Sequence, residues 1–106
     1  MKLKLLIILC LLYGCSTNYV VLEYKKSSHC YTMSYGNPDA KGVSVTNTSK
    51  SQRVQVTIKE TLKDKKSNKE SASTKVIKLE PGEQYDVGCT DDGGYTSKFE
   101  IVGEYH

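Results

Sequence analysis

After about residue 18, the chain consists of short runs in which apolar and polar residues alternate, and turn-forming residues separate the runs. The clearest run covers 53–59, where Val54, Val56 and Ile58 alternate with polar side chains. A period of two residues is typical of a β-strand with one buried face. Similar runs predict further strands at 19–24, 30–35, 43–48, 75–79, 85–89 and 95–105. Since no 3.6-residue period appears in this part of the chain, the pattern predicts an all-β structure.

Clusters of Gly, Pro, Asn and Asp mark the turns between the runs, as at 36–39 and 91–94. Asn47-Thr48-Ser49 has the pattern of a glycosylation acceptor, but we interpret it as a turn held by the Asn side chain. The lysine-rich stretch 62–73 is predicted to be a solvated hairpin tip, and the alternative is contact with anionic lipid head groups or another polyanion. Gly103 is a candidate β-bulge in the last strand. About seven short strands in about 90 residues predict a small β-sandwich spanning residues 19–106.

One stretch carries a more specific signal. Leu79, Pro81, Gly82 and Tyr85 are spaced as Leu-x-Pro-Gly-x-x-Tyr. This spacing resembles the corner between strands E and F of fibronectin type III and immunoglobulin-like sandwiches. The resemblance implies that Tyr85 is the corner tyrosine, whose hydroxyl bonds back to upstream backbone. The buried Trp of many such domains has no counterpart, because the chain contains no Trp.

The first fifteen residues have a different pattern. Lys2 and Lys4 precede an uninterrupted apolar run at 5–13, and Gly14 and Cys15 follow it. This is the layout of a secretory signal. The run is about half of the roughly 20 residues that a membrane-spanning helix needs, so a permanent transmembrane helix is not expected.

Leu12-Tyr13-Gly14-Cys15 resembles a bacterial lipobox, with Leu three residues before the Cys and a small residue directly before it. The resemblance implies a cleaved signal peptide at 1–14, a diacylglyceryl group on the sulfur of Cys15, and an acyl chain on its new amino group. Residues 15–18 would then be a short lipidated tether. Three acyl chains would hold the protein durably to a bilayer, whereas one chain gives marginal binding. Ser16 resembles the outer-membrane-sorted class, and the alternative for the whole leader is an ordinary secretory signal with a coincidental Cys.

Charge limits the possible partners. The chain has 15 basic and 12 acidic residues. Removing Lys2 and Lys4 with the leader leaves 15 − 2 = 13 basic residues against 12 acidic ones. A nucleic-acid-binding domain usually carries a basic stripe, so nucleic acid is not an expected partner.

The four cysteines separate by position. Cys10 lies in the leader and Cys15 is the lipidation site, which leaves Cys30 and Cys89. In an oxidising envelope this pair is predicted to form a disulfide. Strict alternation places Cys30 on the polar side of its strand and Cys89 on the apolar side, so the bridge requires either a bulge near Cys30 or a position at the sheet edge.

Few groups in the sequence could carry chemistry. His29, Cys30, Cys89, Asp91, Asp92 and His106 could be imagined as metal ligands. Zinc sites usually contain closely spaced Cys or His pairs, and a disulfide would remove both thiolates, so no metal site is predicted. His29 is expected to be a partly exposed strand residue and His106 part of a disordered terminus. No nucleophile motif or phosphate-binding loop occurs, so neither a cofactor nor enzymatic activity is predicted.

Eight Tyr residues against one Phe suggest half-buried sheet faces or an interface. Either they are ordinary strand filling, or Tyr19, Tyr31, Tyr35 or Tyr95 line a recognition face.

The leading hypothesis is a lipid-anchored, non-enzymatic binding module of the bacterial envelope, with an envelope protein or glycan as partner. The alternative is an inhibitor or immunity-type lipoprotein acting on a cell-wall hydrolase or toxin. A purely structural envelope component is a third possibility.

Overall fold

The computed structural model describes residues 18–106, which form six β-strands and one short helix. The elements in chain order are β1 (Val20–Lys26), α1 (Ser28–Met33), β2 (Lys41–Asn47), β3 (Val54–Asp64), β4 (Glu70–Leu79), β5 (Gln84–Cys89) and β6 (Tyr95–Tyr105). The predicted signal peptide and Cys15 lie outside the described residues. Within 18–106, the helix present is too short and too polar to cross a membrane.

The strands form two antiparallel sheets of three strands each, in the orders β1-β2-β5 and β4-β3-β6. In immunoglobulin lettering the first sheet corresponds to A-B-E and the second to C′-C-F. The predicted β-sandwich is therefore confirmed. The number of strands is six, one fewer than the sequence pattern predicts, because the predicted strand at 30–35 does not form.

The core lies between the sheets and is made mostly of β-branched side chains. Val45, Val56 and Ile58 are completely buried. In β3, buried Val54, Val56 and Ile58 alternate with partly exposed residues, as the sequence pattern predicts. Other buried members of the same cluster are Val20, Val43, Ile77, Leu79, Val87 and Phe99.

The segment predicted as a strand at 30–35 is instead a helix followed by a turn. The hydroxyl of Ser27 caps the start of α1 by accepting a hydrogen bond from the Cys30 amide at 3.2 Å. Such a cap satisfies one of the amides that a helix start leaves free. A helix of six residues is marginal by itself, and the buried Cys30 fixes it to the sandwich. The alternation of Tyr31, Met33 and Tyr35 imitates a strand pattern without producing one.

The hairpin of β3 and β4 is longer than predicted. Paired residues extend from Val54–Leu79 to Lys63–Glu70, so most of the stretch predicted as a loop at 62–73 is strand. The solvated tip is limited to 65–69, and Asn68 adopts a left-handed conformation there, with φ of 58°. In β6 the register shifts between Ile101 and Gly103, which confirms a bulge beside the predicted glycine.

The segment from Leu79 to Tyr85 joins β4 to β5 and carries the chain from the second sheet to the first. Pro81 and Gly82 form the predicted turn, in which Gly82 has φ of 75°. In immunoglobulin lettering this connection runs from C′ to E, whereas the corner tyrosine belongs to the connection from E to F. Tyr85 is 44% exposed. The prediction of a corner role for Tyr85 is therefore wrong.

Asn47 holds this connection in place. Its side chain is completely buried, and its Nδ2 donates to the carbonyls of Gln52 at 2.8 Å, Glu80 at 3.1 Å and Leu79 at 3.3 Å. Its Oδ1 accepts from the Ser49 amide at 3.0 Å, which confirms the side-chain-held turn predicted at 47–49. One buried amide side chain thus joins the turn after β2 to the end of β4 through three backbone carbonyls.

The two ends of the described chain lie together. Oε2 and Oε1 of Glu104 in β6 accept from the amides of Tyr19 at 2.8 Å and Val20 at 3.0 Å. Nε2 of His106 lies 2.6 Å from Oε2 of Glu104, and its ring contacts that of Tyr19. The prediction that His106 is a disordered terminus is therefore wrong. Residue 18, which leads to the predicted tether, leaves the sandwich from this end.

Candidate functional site

The end of the sandwich far from residue 18 is built from α1, the loop after it, the β5–β6 loop and the β3–β4 tip. β6 places its first residue, Tyr95, at this end and Glu104 at the other. Nine residues of extended strand separate the two, a distance of about 30 Å. We call the exposed side chains of Tyr31, Met33, Tyr35 and Tyr95 at this end the distal surface.

Tyr35 is the most exposed large hydrophobic residue of the described chain, with 89% of its surface accessible. It directly follows Ser34, which is the C-cap residue of α1. The amides of Tyr35 and Gly36 donate back to the carbonyls of Thr32 at 3.1 Å and Tyr31 at 2.9 Å. This pair of bonds is the Schellman motif, in which the position of Tyr35 takes a left-handed conformation. Its φ is accordingly 58°.

Glycine usually occupies that position, since a side chain there costs roughly 1 kcal/mol. Tyr35 bears that cost and buries little of its own surface. Its ring lies over Gly93, where an added Cβ would collide with the ring and come within 2.9 Å of the Met33 carbonyl oxygen. Gly93 also has φ of 99°. The β5–β6 loop therefore fits against the Tyr35 turn only with glycine at this point.

Tyr31 and Met33, both in α1, are further exposed apolar residues at this end of the sandwich. Tyr31 is 51% exposed and Met33 is 45% exposed. Exposed apolar side chains are common singly, but a group of them marks an interaction site more often. Tyr and Met are also enriched at protein interfaces.

Asp91 connects three loops beneath the distal surface. Its carboxylate is buried and accepts from Asn37 Nδ2 at 2.8 Å, Lys65 Nζ at 2.7 Å and the Gly93 amide at 2.9 Å. Burial raises the pKa of Asp91, but the bonds from Lys65, Gly93 and Asn37 outweigh burial and hold its pKa below the ordinary value. The loop after α1, the hairpin tip and the β5–β6 loop are thus fixed relative to one another.

The predicted disulfide is confirmed between Cys30 and Cys89, whose Cα atoms are 5.6 Å apart. It joins α1 to the last residue of β5. Cys30 is 1% exposed. The conflict between the two cysteines in the sequence pattern disappears because Cys30 lies in a helix and a bulge interrupts β5 before Cys89. The bridge holds α1, and with it Tyr31 and Met33, against the sandwich.

The remaining candidate residues are distributed between the two ends. Tyr31, Tyr35 and Tyr95 lie on the distal surface, whereas Tyr19 packs against His106 at the opposite end. His29, in α1, lines a cleft of about 500 Å³ beside the disulfide, together with Lys26 and Asp86. In residues 18–106, no three His, Cys, Asp or Glu side chains lie close enough together to hold a metal ion.

Sequence reasoning did not find the roles of Asp91 and Gly93 in this site. Asp91 is 26 residues from Lys65 and 54 from Asn37, so no local pattern connects them. Comparison of the chain with protein-family models, with curated proteins and with solved structures found no match.

Proposed function

We propose that this protein is a lipid-anchored, non-enzymatic binding module of the bacterial cell envelope, which recognises an envelope protein or glycan through the distal surface. The observation that carries the proposal is Tyr35. It is 89% exposed and has φ of 58°. An aromatic residue with this backbone conformation and this exposure costs stability and returns almost none through burial. A binding role accounts for its presence.

Rigidity supports the same role. The loops below the distal surface are held by Asp91, and α1 is held by the Cys30–Cys89 disulfide. A surface that is already ordered loses little conformational freedom on binding, and this favours affinity. Tyr side chains add large contact area with few rotatable bonds.

The position of the surface fits an anchored module. The lipobox-like motif lies shortly before residue 18, and the distal surface lies about 30 Å along β6 from the end where residue 18 leaves the sandwich. A lipid on Cys15 would hold one end at the bilayer and leave the other free to meet a partner. Labelling cells with radioactive palmitate and fractionating them tests this part. The proposal requires label and membrane association in the native chain and loss of both in Cys15→Ser.

Site-specific photocrosslinking tests the binding surface. A photoreactive phenylalanine analogue is placed at Tyr35 in the full-length chain in intact cells. The matched control carries it at Tyr105, which is 63% exposed at the other end. We expect a specific product from position 35 and none from position 105. Equal products from both positions, or none from position 35 under several growth conditions, would overturn the proposal.

The same experiment separates the alternative function. A cell-wall hydrolase or toxin in the product from position 35 would identify the chain as an inhibitor or immunity protein. That outcome would be checked by adding the purified domain to lysozymes, where the absence of inhibition at micromolar concentrations excludes lysozyme as the target.

A further inference from the structure

β4 forms one edge of the second sheet in the part of the chain that the structure describes. It pairs with β3, and no other described strand lies beside it. The pairing from Val54–Leu79 to Lys63–Glu70 contains no register shift. β4 therefore has no bulge that would turn its free side away from another strand.

The ladder shows which backbone groups point outwards. The Asp64 amide donates to the Lys69 carbonyl at 2.9 Å, so these two residues bond across the hairpin. Bonded and non-bonded pairs alternate along an antiparallel ladder, so the even-numbered residues of β4 direct their N–H and C=O groups away from β3. These residues are Glu70, Ala72, Thr74, Val76 and Lys78. Every β4 residue before Ile77 has an exposed side chain.

The other edge strands are protected. Glu104 accepts the amide of Val20 at the start of β1. The Tyr24 hydroxyl donates to the Phe99 carbonyl on the free side of β6 at 3.0 Å. β5 contains a register shift. Natural sheets use such features to prevent pairing between edges. Among the described edge strands, β4 has neither a register shift nor a side chain bonded to the backbone of its free side, and its only edge feature of this kind is the charge of Glu70, Lys75 and Lys78.

We propose that β4 pairs with β4 of a second copy of this chain, antiparallel, about a twofold axis at Thr74. In this register Thr74 faces Thr74 and Ala72 faces Val76. Glu70 faces Lys78 of the second copy at both ends of the pair, and opposite charges facing each other stabilise a strand pair. Val76, which is 56% exposed in a single copy, gains an apolar neighbour.

The charges select this register over its neighbours. If one copy of β4 is shifted by two residues along the other in one direction, Glu70 lies opposite Val76 and loses its pairing with Lys78. A shift in the other direction leaves Lys78 opposite Ala72 and places Lys75 opposite Lys75, which is unfavourable. In the proposed register Lys75 faces Ser73. The product is one continuous sheet in the order β6-β3-β4-β4-β3-β6, with the free edge of β4 removed.

The dimer is compatible with two anchors on one membrane. The twofold axis is perpendicular to the sheet, so the residues that lead to the two tethers lie at the same height along it. With the axis normal to the bilayer, both tethers can reach the same leaflet, and the two distal surfaces lie at opposite sides of the dimer, where each is free to meet a partner laterally. This inference does not depend on the proposed binding function.

Cysteine crosslinking in the full-length chain tests the pairing. Thr74→Cys places two thiols on the axis, where paired Cα atoms are about 5.5 Å apart and a disulfide can form. The control is Ser71→Cys, an exposed residue in the same strand whose two copies would lie about 20 Å apart. We expect a covalent dimer on a non-reducing gel from Thr74→Cys, and none above the native background from Ser71→Cys. Equal crosslinking of the two variants would overturn the inference.

Charge exchange tests the register. Lys78→Glu places two acidic residues opposite each other, and we expect it to abolish the dimer seen by light scattering of the detergent-solubilised protein. Adding Glu70→Lys to the same chain restores opposite charges and should restore the dimer. A native chain that is monomeric at every concentration, or a dimer unaffected by Lys78→Glu, would overturn the inference.

Discussion

Tyr35 shows how one residue can lower stability while it serves another purpose. Its left-handed backbone conformation suits glycine, and its ring is almost fully exposed. We expect Tyr35→Gly to raise the free energy of unfolding by about 1 kcal/mol, because glycine adopts this conformation without steric cost. Chemical denaturation of the purified domain measures the change.

The control for Tyr35→Gly is Tyr105→Gly, which removes an exposed tyrosine from the end of β6, where the residue is paired with Gln55. Glycine is unfavourable inside a strand, so the control should lower the free energy of unfolding. With the photoreactive analogue placed at Tyr31 instead, the crosslinked product expected from the distal surface should be lost when Tyr35 is glycine. A Tyr35→Gly chain that is less stable than the native chain would show that the ring contributes more to folding than its exposure indicates.

Asn47 is the polar residue on which the connection between β4 and β5 depends. We expect Asn47→Asp, which keeps the shape but loses the amide donor, to lower the free energy of unfolding by about 3 kcal/mol or more. The carbonyls of Gln52, Leu79 and Glu80 would lose their partner, and a carboxylate would be buried without compensation. Lys50→Ala, at an exposed residue of the same turn, is the control and should change stability little. Equal effects of the two substitutions would contradict this assignment.

The local part of the Asn47 role could be predicted from the sequence, and the distant part could not. The turn at 47–49 follows from a side chain bonding two residues ahead. The contacts with Leu79 and Glu80 join residues more than 30 positions apart, and their existence depends on how the two sheets pack. The predicted corner role of Tyr85 failed for the same reason, because a local spacing of residues cannot tell which pair of strands a turn connects.

At the scale of elements, periodicity succeeded where one face of a strand is buried throughout. β3 and β6 follow the predicted runs, because Val54, Val56 and Ile58 in one and Ser97 and Phe99 in the other face the core. Periodicity failed at α1, where alternating Tyr31, Met33 and Tyr35 are all exposed. Alternation predicts a strand when burial causes it, and these residues alternate without burial.

The disulfide determines whether α1 remains in place. The bridge spans 59 residues, and the chain-entropy model gives about 4 kcal/mol for a loop of this length. We expect replacement of both Cys30 and Cys89 by Ala to lower the free energy of unfolding by about this amount. Amide hydrogen exchange should rise first in α1, because a helix of six residues is not stable by itself.

Reduction of the native protein provides the control for the double substitution, since it breaks the bridge without changing any residue. Both should give the same loss of stability and the same faster exchange in α1. Unchanged exchange in α1 after reduction would show that packing alone holds the helix, and would remove the disulfide from the account of the distal surface.

At the scale of the whole sandwich, residues 18–106 place one buried carboxylate at each end. Asp91 connects the loops below the distal surface, and Glu104 connects the start of β1 to β6 beside residue 18. Burial raises the pKa of Glu104, but the hydrogen bonds from His106, Tyr19 and Val20 outweigh it and hold its pKa below the ordinary value. The same balance applies to Asp91. The two ends therefore depend on negative charge.

The stability of the fold should therefore decrease in acid. A carboxyl whose pKa is lower in the folded state than in the unfolded state stabilises the fold above its unfolded pKa, and that contribution is lost as pH falls through the folded pKa. The ordinary values are 3.8 for Asp91 and 4.5 for Glu104. We expect these two groups to contribute fully at neutral pH and their contribution to disappear progressively below about pH 4. Thermal melts from pH 7 to pH 3 measure the loss.

Asp91→Asn and Glu104→Gln should each be less stable than the native chain at pH 7 and should lose less stability on acidification, because each lacks one of the groups that titrates. Hydrogen exchange separates the ends, since acid should loosen the β5–β6 loop through Asp91 and the start of β1 through Glu104. A native chain and variants with parallel stability curves across this range would show that neither carboxylate contributes to the fold.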